Sequence, residues 1–271
     1  MQNRVKLLSA VYLLYLVLNI LSGELRGVWS DVVFALSFAL PTLLALGYIK
    51  KEDSDDIRAY LGLDSEGVKT TLLFLAPTIA LTGSISYTTG LVLKFFFGEL
   101  KAPSVPDDFL LAILVSALLP ALIEEIMFRY LPMRVLSGAP RSRIIMLSSL
   151  FFAFAHASLY QIPYALVAGF LFMLLDLMAG SVLPSFILHF FNNVFSLVLI
   201  FCGENLVAKI CLNVIGGLLF ALSFALFLRE RKRLIGKINQ IFTPVKREES
   251  WLFSLLFVIP AFVVACGEFF A

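Results

Sequence analysis

An all-α fold is predicted for this chain, a polytopic bundle of about eight or nine transmembrane helices, and three observations carry the prediction. The 271 residues are 60% hydrophobic and 15% charged, with a mean hydropathy of +0.95, whereas soluble domains carry about 25% charged residues. Apolar stretches of about 20 residues recur along the chain, each long enough to cross a hydrocarbon core of roughly 30 Å as a helix. The strands of a membrane barrel would alternate polar and apolar residues over about ten positions, and no such alternation is present.

The spans follow in order. A basic start, Arg4 and Lys6, precedes the first span at 5–22, and Gly23-Glu24-Leu25-Arg26 makes a poor cleavage site, so this span is expected to be retained rather than removed as a signal. The second lies at 29–49, before a polar linker at 50–69 in which Ser65 ahead of Glu66 suits a helix start. The third, 70–97, is long and carries Gly83 and Gly90. Spans at 109–136, 144–160, 162–180 and 182–202 form the polar-residue-bearing centre. A span at 206–228, a charged linker at 229–250 broken by Thr243-Pro244, and a last span at 251–269 complete the chain. The whole of 1–271 reads as one integral membrane domain, with no repeat and no low-complexity tract, and the first two spans look peripheral.

Charge placement orients the bundle. With the amino terminus cytoplasmic, 16 of the 21 basic residues fall inside, among them Lys50, Lys51, Arg58, Lys69, Arg134, Arg141, Arg143 and the cluster from Arg229 to Arg247. Arg26, Lys94, Lys101 and Lys209 fall outside, so the positive-inside rule favours this orientation. The basic residues thus serve topology, and the net charge of +2 gives no indication of nucleic-acid binding. Cys202, Cys211 and Cys266 are unclustered, lack metal spacing and are expected to pack.

Chemistry concentrates between residues 120 and 193. An ionisable side chain at bilayer depth costs at least a few kcal/mol (roughly 2.5–3.5 on insertion scales), so such residues usually have a function. Glu125 and Arg129 are one helical turn apart, with the acid first, the better orientation for an ion pair. Their plainer role is to lock helices together. Glu124 is rotated by about 100° from Glu125 and cannot share that line of contact, so it must face a cavity, water or another polar group. Phe152 and His156 share a face of the following span, flanked by small residues that allow close helix approach. His189 and Asn193, again one turn apart, supply donors for a developing oxyanion. Pro184 and Gly180-Ser181 imply an interrupted start to that helix. Counting inward at 1.5 Å per residue brings Glu124 and His156 roughly 15–20 Å deep and His189 about 10 Å deep, close enough to meet.

The ordered motifs Glu124-Glu125-x-x-x-Arg129, Phe152-x-x-x-His156 and His189-x-x-x-Asn193, with Gly180-Ser181-Val182-Leu183-Pro184 before the last, resemble those of the CPBP family. These are the CAAX-protease and bacteriocin-processing membrane proteins, also called Abi or Rce1-like glutamic intramembrane proteases. The resemblance covers 109–203, which becomes the expected catalytic core. It implies a helical intramembrane endopeptidase that cleaves a membrane-embedded or lipid-associated peptide in the bilayer without a cofactor or metal. Glu124 would activate water, His156 would help hold it, His189 and Asn193 would form the oxyanion hole, and Glu125 with Arg129 would brace the site. Three competing functions use the same residues. A zinc metalloprotease would ligate its metal through Glu124, His156 and His189, although the spacing is not HExxH. A proton-coupled transporter would also gather Glu, His and Arg at the midplane, yet no internal repeat relates the halves of the chain. A non-catalytic immunity or assembly factor would bind a peptide and cut nothing.

Overall fold

A computed structural model describes residues 2–26, 28–52, 60–98, 105–156 and 158–243. The expected ninth span at 251–269, Cys266, Arg58 and the end of the basic cluster lie outside the described residues. Among the described residues there are eight helices and no strand: α1 Gln2–Glu24, α2 Val28–Glu52, α3 Ser65–Phe97, α4 Phe109–Val135, α5 Arg141–Ala155, α6 Ile162–Ala179, α7 Leu183–Phe201 and α8 Leu206–Ile241. Six of them (α1, α3, α4, α6, α7 and α8) are long and apolar enough to cross a membrane. The protein is an integral, multi-pass membrane protein.

The expected linker at 229–250 is corrected in part, since α8 continues as helix to Ile241, and two other departures have local reasons. The fifth helix is 15 residues long and stops at Ala155, short of the expected 144–160, and a turn at 159–161 leads into α6, which Pro163 opens. In α3, neither Gly83 nor Gly90 interrupts the helix, which runs unbroken for 33 residues from an Asp64 cap whose carboxylate accepts the Gly67 N–H at 2.6 Å. Gly90 instead gives room: a Cβ there would stand 3.1 Å from the Tyr160 ring. The tyrosine hydroxyl meets Ser86 Oγ at 2.8 Å, one turn away on α3, and pins the α5–α6 turn to that helix.

Several hydroxyls inside the bundle are satisfied locally, as an environment without water favours. Thr70, Thr71 and Ser149 each donate to the carbonyl four residues back. At 1.5 Å per residue, α3 and α8 run about 50 Å or more, well beyond the hydrocarbon core. Their projecting ends meet in an ion cluster: Lys69 with Glu230 at 3.1 Å, Arg233 with Glu230 at 2.9 Å, Arg233 with Glu66, and Lys237 with Glu66 at 3.8 Å. The sequence assigned both ends to the same membrane face, and the fold places them side by side. The rest of α8 is apolar and exposed, the surface of a helix facing lipid.

The main core lies between α1, α2, α4, α5, α6 and the start of α7. The expectation that α1 is peripheral is corrected here. Tyr12 stacks on Phe128 and Phe151, and its hydroxyl donates to Met127 O at 3.2 Å. Tyr15 packs edge-on against Phe128. A helix buried against the polar centre needs aromatic side chains with a hydrogen-bonding tip, and the tyrosines supply them.

Candidate active site

The two glutamates end a regular stretch of α4, and a π-helical turn, Ile126–Tyr130, follows at once. A π turn widens the helix and leaves main-chain carbonyls turned away from their usual partners, a device common at functional sites. Side chains from other helices take up those carbonyls. Phe128 O accepts from Ser148 Oγ of α5 at 2.5 Å and from the Arg129 guanidinium at 3.2 Å, while Met127 O is held by Tyr12. The bulge is therefore stabilised by tertiary contacts rather than by local propensity.

Arg129 is completely buried. Its Nε stands 3.1 Å from Glu125 Oε2, and its guanidinium lies 4.4 Å above the Phe152 ring and 5.5 Å from that of Phe172. Aromatic faces accept a guanidinium more readily than an ammonium, which suits arginine to this dry position. Glu125 divides its carboxylate. One oxygen serves Arg129, and the other, Oε1, accepts from His189 Nδ1 at 2.7 Å. The far ring nitrogen, Nε2, then faces Glu124 Oε2 at 4.0 Å. Phe152 and Phe172 close on the imidazole, each with its ring centre 5.6 Å away.

Glu124 differs from its neighbour. Its side chain keeps 17% of its exposure, and Oε2 has no hydrogen-bond partner among the described residues. Tyr15 and Tyr164 lie close enough to feel its charge. His156 closes the end of α5: its Nδ1–H donates to Phe152 O at 2.8 Å, a carbonyl left unpaired where the helix stops. Tyr15 takes the next orphan, Ala155 O, at 3.0 Å. His156 thus sits at a helix terminus rather than on a continuing helical face. Its ring lies edge-on to Phe152 at 5.0 Å and to Tyr164 at 6.3 Å.

Asn193 is half-buried one turn beyond His189, and no side-chain hydrogen bond engages it among the described residues. Asn192 is not the idle neighbour its position suggests: its Oδ1 accepts from Thr82 of α3 at 2.7 Å. Direct contact therefore joins Glu124, Glu125, Arg129 and His189, while His156 enters through Phe152. The reading from sequence alone missed Tyr15 and Ser148. Asp176, near the end of its apolar span, is fully buried with Oδ1 on the Ser185 N–H at 2.9 Å. A signal was present for two of these, since Tyr12 and Tyr15 share a face of an apolar helix and Asp176 is a charge within a span. Among the described residues, no three of His, Cys, Asp or Glu are grouped so as to hold a metal ion.

Residues 106–195 match the family described as type II CAAX prenyl endopeptidase Rce1-like. The matched stretch contains Glu124, Glu125, Arg129, His156, His189 and Asn193. No curated protein and no solved structure matches the chain. Over residues 106–195, a third of the 271-residue chain, the protein is similar to the Rce1-like type II CAAX prenyl endopeptidases, which are peptide hydrolases.

Proposed function

We propose that the protein is a glutamate-dependent intramembrane endopeptidase, in which Glu124 activates the water that cleaves a membrane-associated peptide. The observation that carries this reading is the division of labour between adjacent acids: Glu125 is held by both Arg129 and His189, at 3.1 and 2.7 Å, while Glu124 reaches, among the described residues, only His189 Nε2, at 4.0 Å.

The hydrogen bonds constrain the roles. The carbonyl of Phe152 can only accept, so His156 carries its proton on Nδ1, and neutral Nε2 offers a lone pair that can receive a hydrogen from the attacking water. His189 likewise commits Nδ1–H to the Glu125 carboxylate. With Nδ1–H so committed, Nε2 donates to an oxyanion only when the ring carries both protons. In the reaction, Glu124 takes a proton from water as the oxygen attacks the scissile carbonyl carbon. His189 Nε2–H and the Asn193 amide donate to the oxygen that becomes negative. Glu124 then returns the proton to the leaving nitrogen as the C–N bond breaks, giving a free carboxylate and amine. Glu125 and Arg129 hold the imidazole in place. The distribution of basic residues suits a cytoplasmic amino terminus, and the motifs suit a catalytic core over 109–203.

The test is cleavage of a fluorogenic farnesylated peptide ending in a CAAX sequence by the purified protein in proteoliposomes. Glu124→Gln keeps size and removes basicity, so turnover is expected to vanish while the melting temperature stays near that of the parent. Cleavage at the parental rate by a folded Glu124→Gln protein would refute the assignment. A metal-dependent protease would instead lose activity on chelation, and a pure binding protein would retain peptide binding with no cleavage by the parent.

A further inference from the structure

Asp176 is a buried carboxylate close to the site to which the reaction above gives no task. It lies on α6 one turn after Phe172, and none of it is exposed. Its main-chain oxygen holds the turn that leads to α7, accepting from Gly180 N–H and, at 3.2 Å, from Ser181 N–H. Gly180 makes that turn with a φ of 67°, a left-handed conformation that glycine adopts at little cost. The Asp176 side chain then reaches past the turn to the Ser185 N–H.

That reach completes the start of α7. The residue before the helix, Val182, has no side chain able to cap it. Leu183 N–H finds Ser181 Oγ at 3.2 Å, and Pro184 has no N–H to satisfy. Phe186 N–H returns to Val182 O at 3.2 Å. Ser185 is left, and Asp176 takes it, placing an acid at the positive end of the helix dipole. His189 lies one turn further along the same face. Its ring meets Phe172, also from α6, so α6 grips α7 at the imidazole and again one turn before it. The Ser185 hydroxyl donates to Val182 O at 2.9 Å and closes the same first turn.

We infer that Asp176 is a positioning residue: by capping α7 from the neighbouring helix, it sets the rotation and depth at which His189 and Asn193 meet Glu124. The inference rests on the glutamate-base reading above. Asp176 Oδ2 has no partner among the described residues, and a buried polar atom left unpaired costs about 1–3 kcal/mol. Simple helix packing would be served better by an apolar side chain at this point. A displacement of about 1 Å at a reacting group can lower turnover about 10²-fold, so a loosened α7 start should be visible in catalysis.

The experiment compares Asp176→Ala and Asp176→Asn with the parent and with Glu124→Gln, using the farnesylated peptide in proteoliposomes and normalising to folded protein. Asp176→Ala is expected to lose about 10–10²-fold in kcat with KM within about twofold of the parent. Asp176→Asn keeps an acceptor oxygen for Ser185 N–H and should retain at least about a third of parental kcat. Parental kcat per folded molecule in Asp176→Ala, or a loss confined to KM, overturns the inference. If Asp176→Ala does not fold, Asp176→Asn decides alone, since a loss of about tenfold or more would mean that the capping oxygen is not what matters. An inactive Glu124→Gln beside a fully active Asp176→Ala rejects the positioning role alone. An active Glu124→Gln rejects the catalytic reading beneath it.

Discussion

Replacing Arg129 with alanine tests how far the site depends on one cation. The guanidinium is fully buried, pairs with Glu125 Oε2 at 3.1 Å, and donates to Phe128 O and to Ser148 Oγ at 3.3 Å. Removing it leaves the Glu125 carboxylate buried against His189 alone and takes a donor from the carbonyl exposed by the π turn. Breaking a buried ion pair on one side costs about 3–5 kcal/mol. For a chain of this size, each kcal/mol shifts the unfolding midpoint by about 2–4 °C, so a fall of roughly 6–20 °C is expected. Unfolding followed by intrinsic fluorescence in detergent measures the shift. The double variant Arg129→Ala with Glu125→Gln removes the stranded charge and should recover part of it, whereas two independent losses would add. A midpoint for Arg129→Ala within about 2 °C of the parent would refute the bracing role, since it corresponds to less than about 1 kcal/mol.

Two further substitutions separate catalysis from packing. Asn193→Ala should lower kcat about 10²–10³-fold with little change in substrate affinity, whereas Asn192→Ala breaks the bond to Thr82 and should cost about 1 kcal/mol of stability while sparing turnover; steady-state kinetics beside thermal unfolding for both variants would expose equal effects, which would remove the oxyanion role. Tyr15→Phe deletes the donor to Ala155 O, so about 1 kcal/mol of stability and a measurable part of kcat should go together; an unchanged melting temperature would show that the α5 end does not depend on α1.

The parts legible in the sequence were those written in helical period. Glu125 and Arg129 fall one turn apart, and the structure pairs them; Glu124, rotated away, stands clear of that pair. The apolar runs marked the helices to within a few residues, except where α5 stops early and where α8 runs on through Ile241 into the expected linker. What the sequence hid was set by contacts across long separations. Tyr12 and Met127 are 115 residues apart, Tyr15 and Ala155 are 140 apart, and Ser86 and Tyr160 are 74 apart. No local rule forecasts a π turn whose carbonyls are taken by a serine on the next helix and a tyrosine on the first. The same holds for His156, which periodicity placed on a helical face and tertiary packing made into the helix's own terminator. Asp176 was visible as a charge, but its burial depended on how α6 returns into α7.

The carboxylate of Glu125, with one oxygen on Arg129 and the other on His189, couples two properties that engineers and evolution usually adjust separately. Elsewhere, a buried ion pair can often be exchanged for apolar residues of similar volume with a gain in stability. Here the exchange would strip the imidazole of its anchor along with the cation of its partner. Substitutions that harden the bundle at this point should therefore yield well-folded, inert proteins. Thermostable variants that remain active should owe their gains to other places, such as the lipid-facing length of α8 or the ion cluster between α3 and α8.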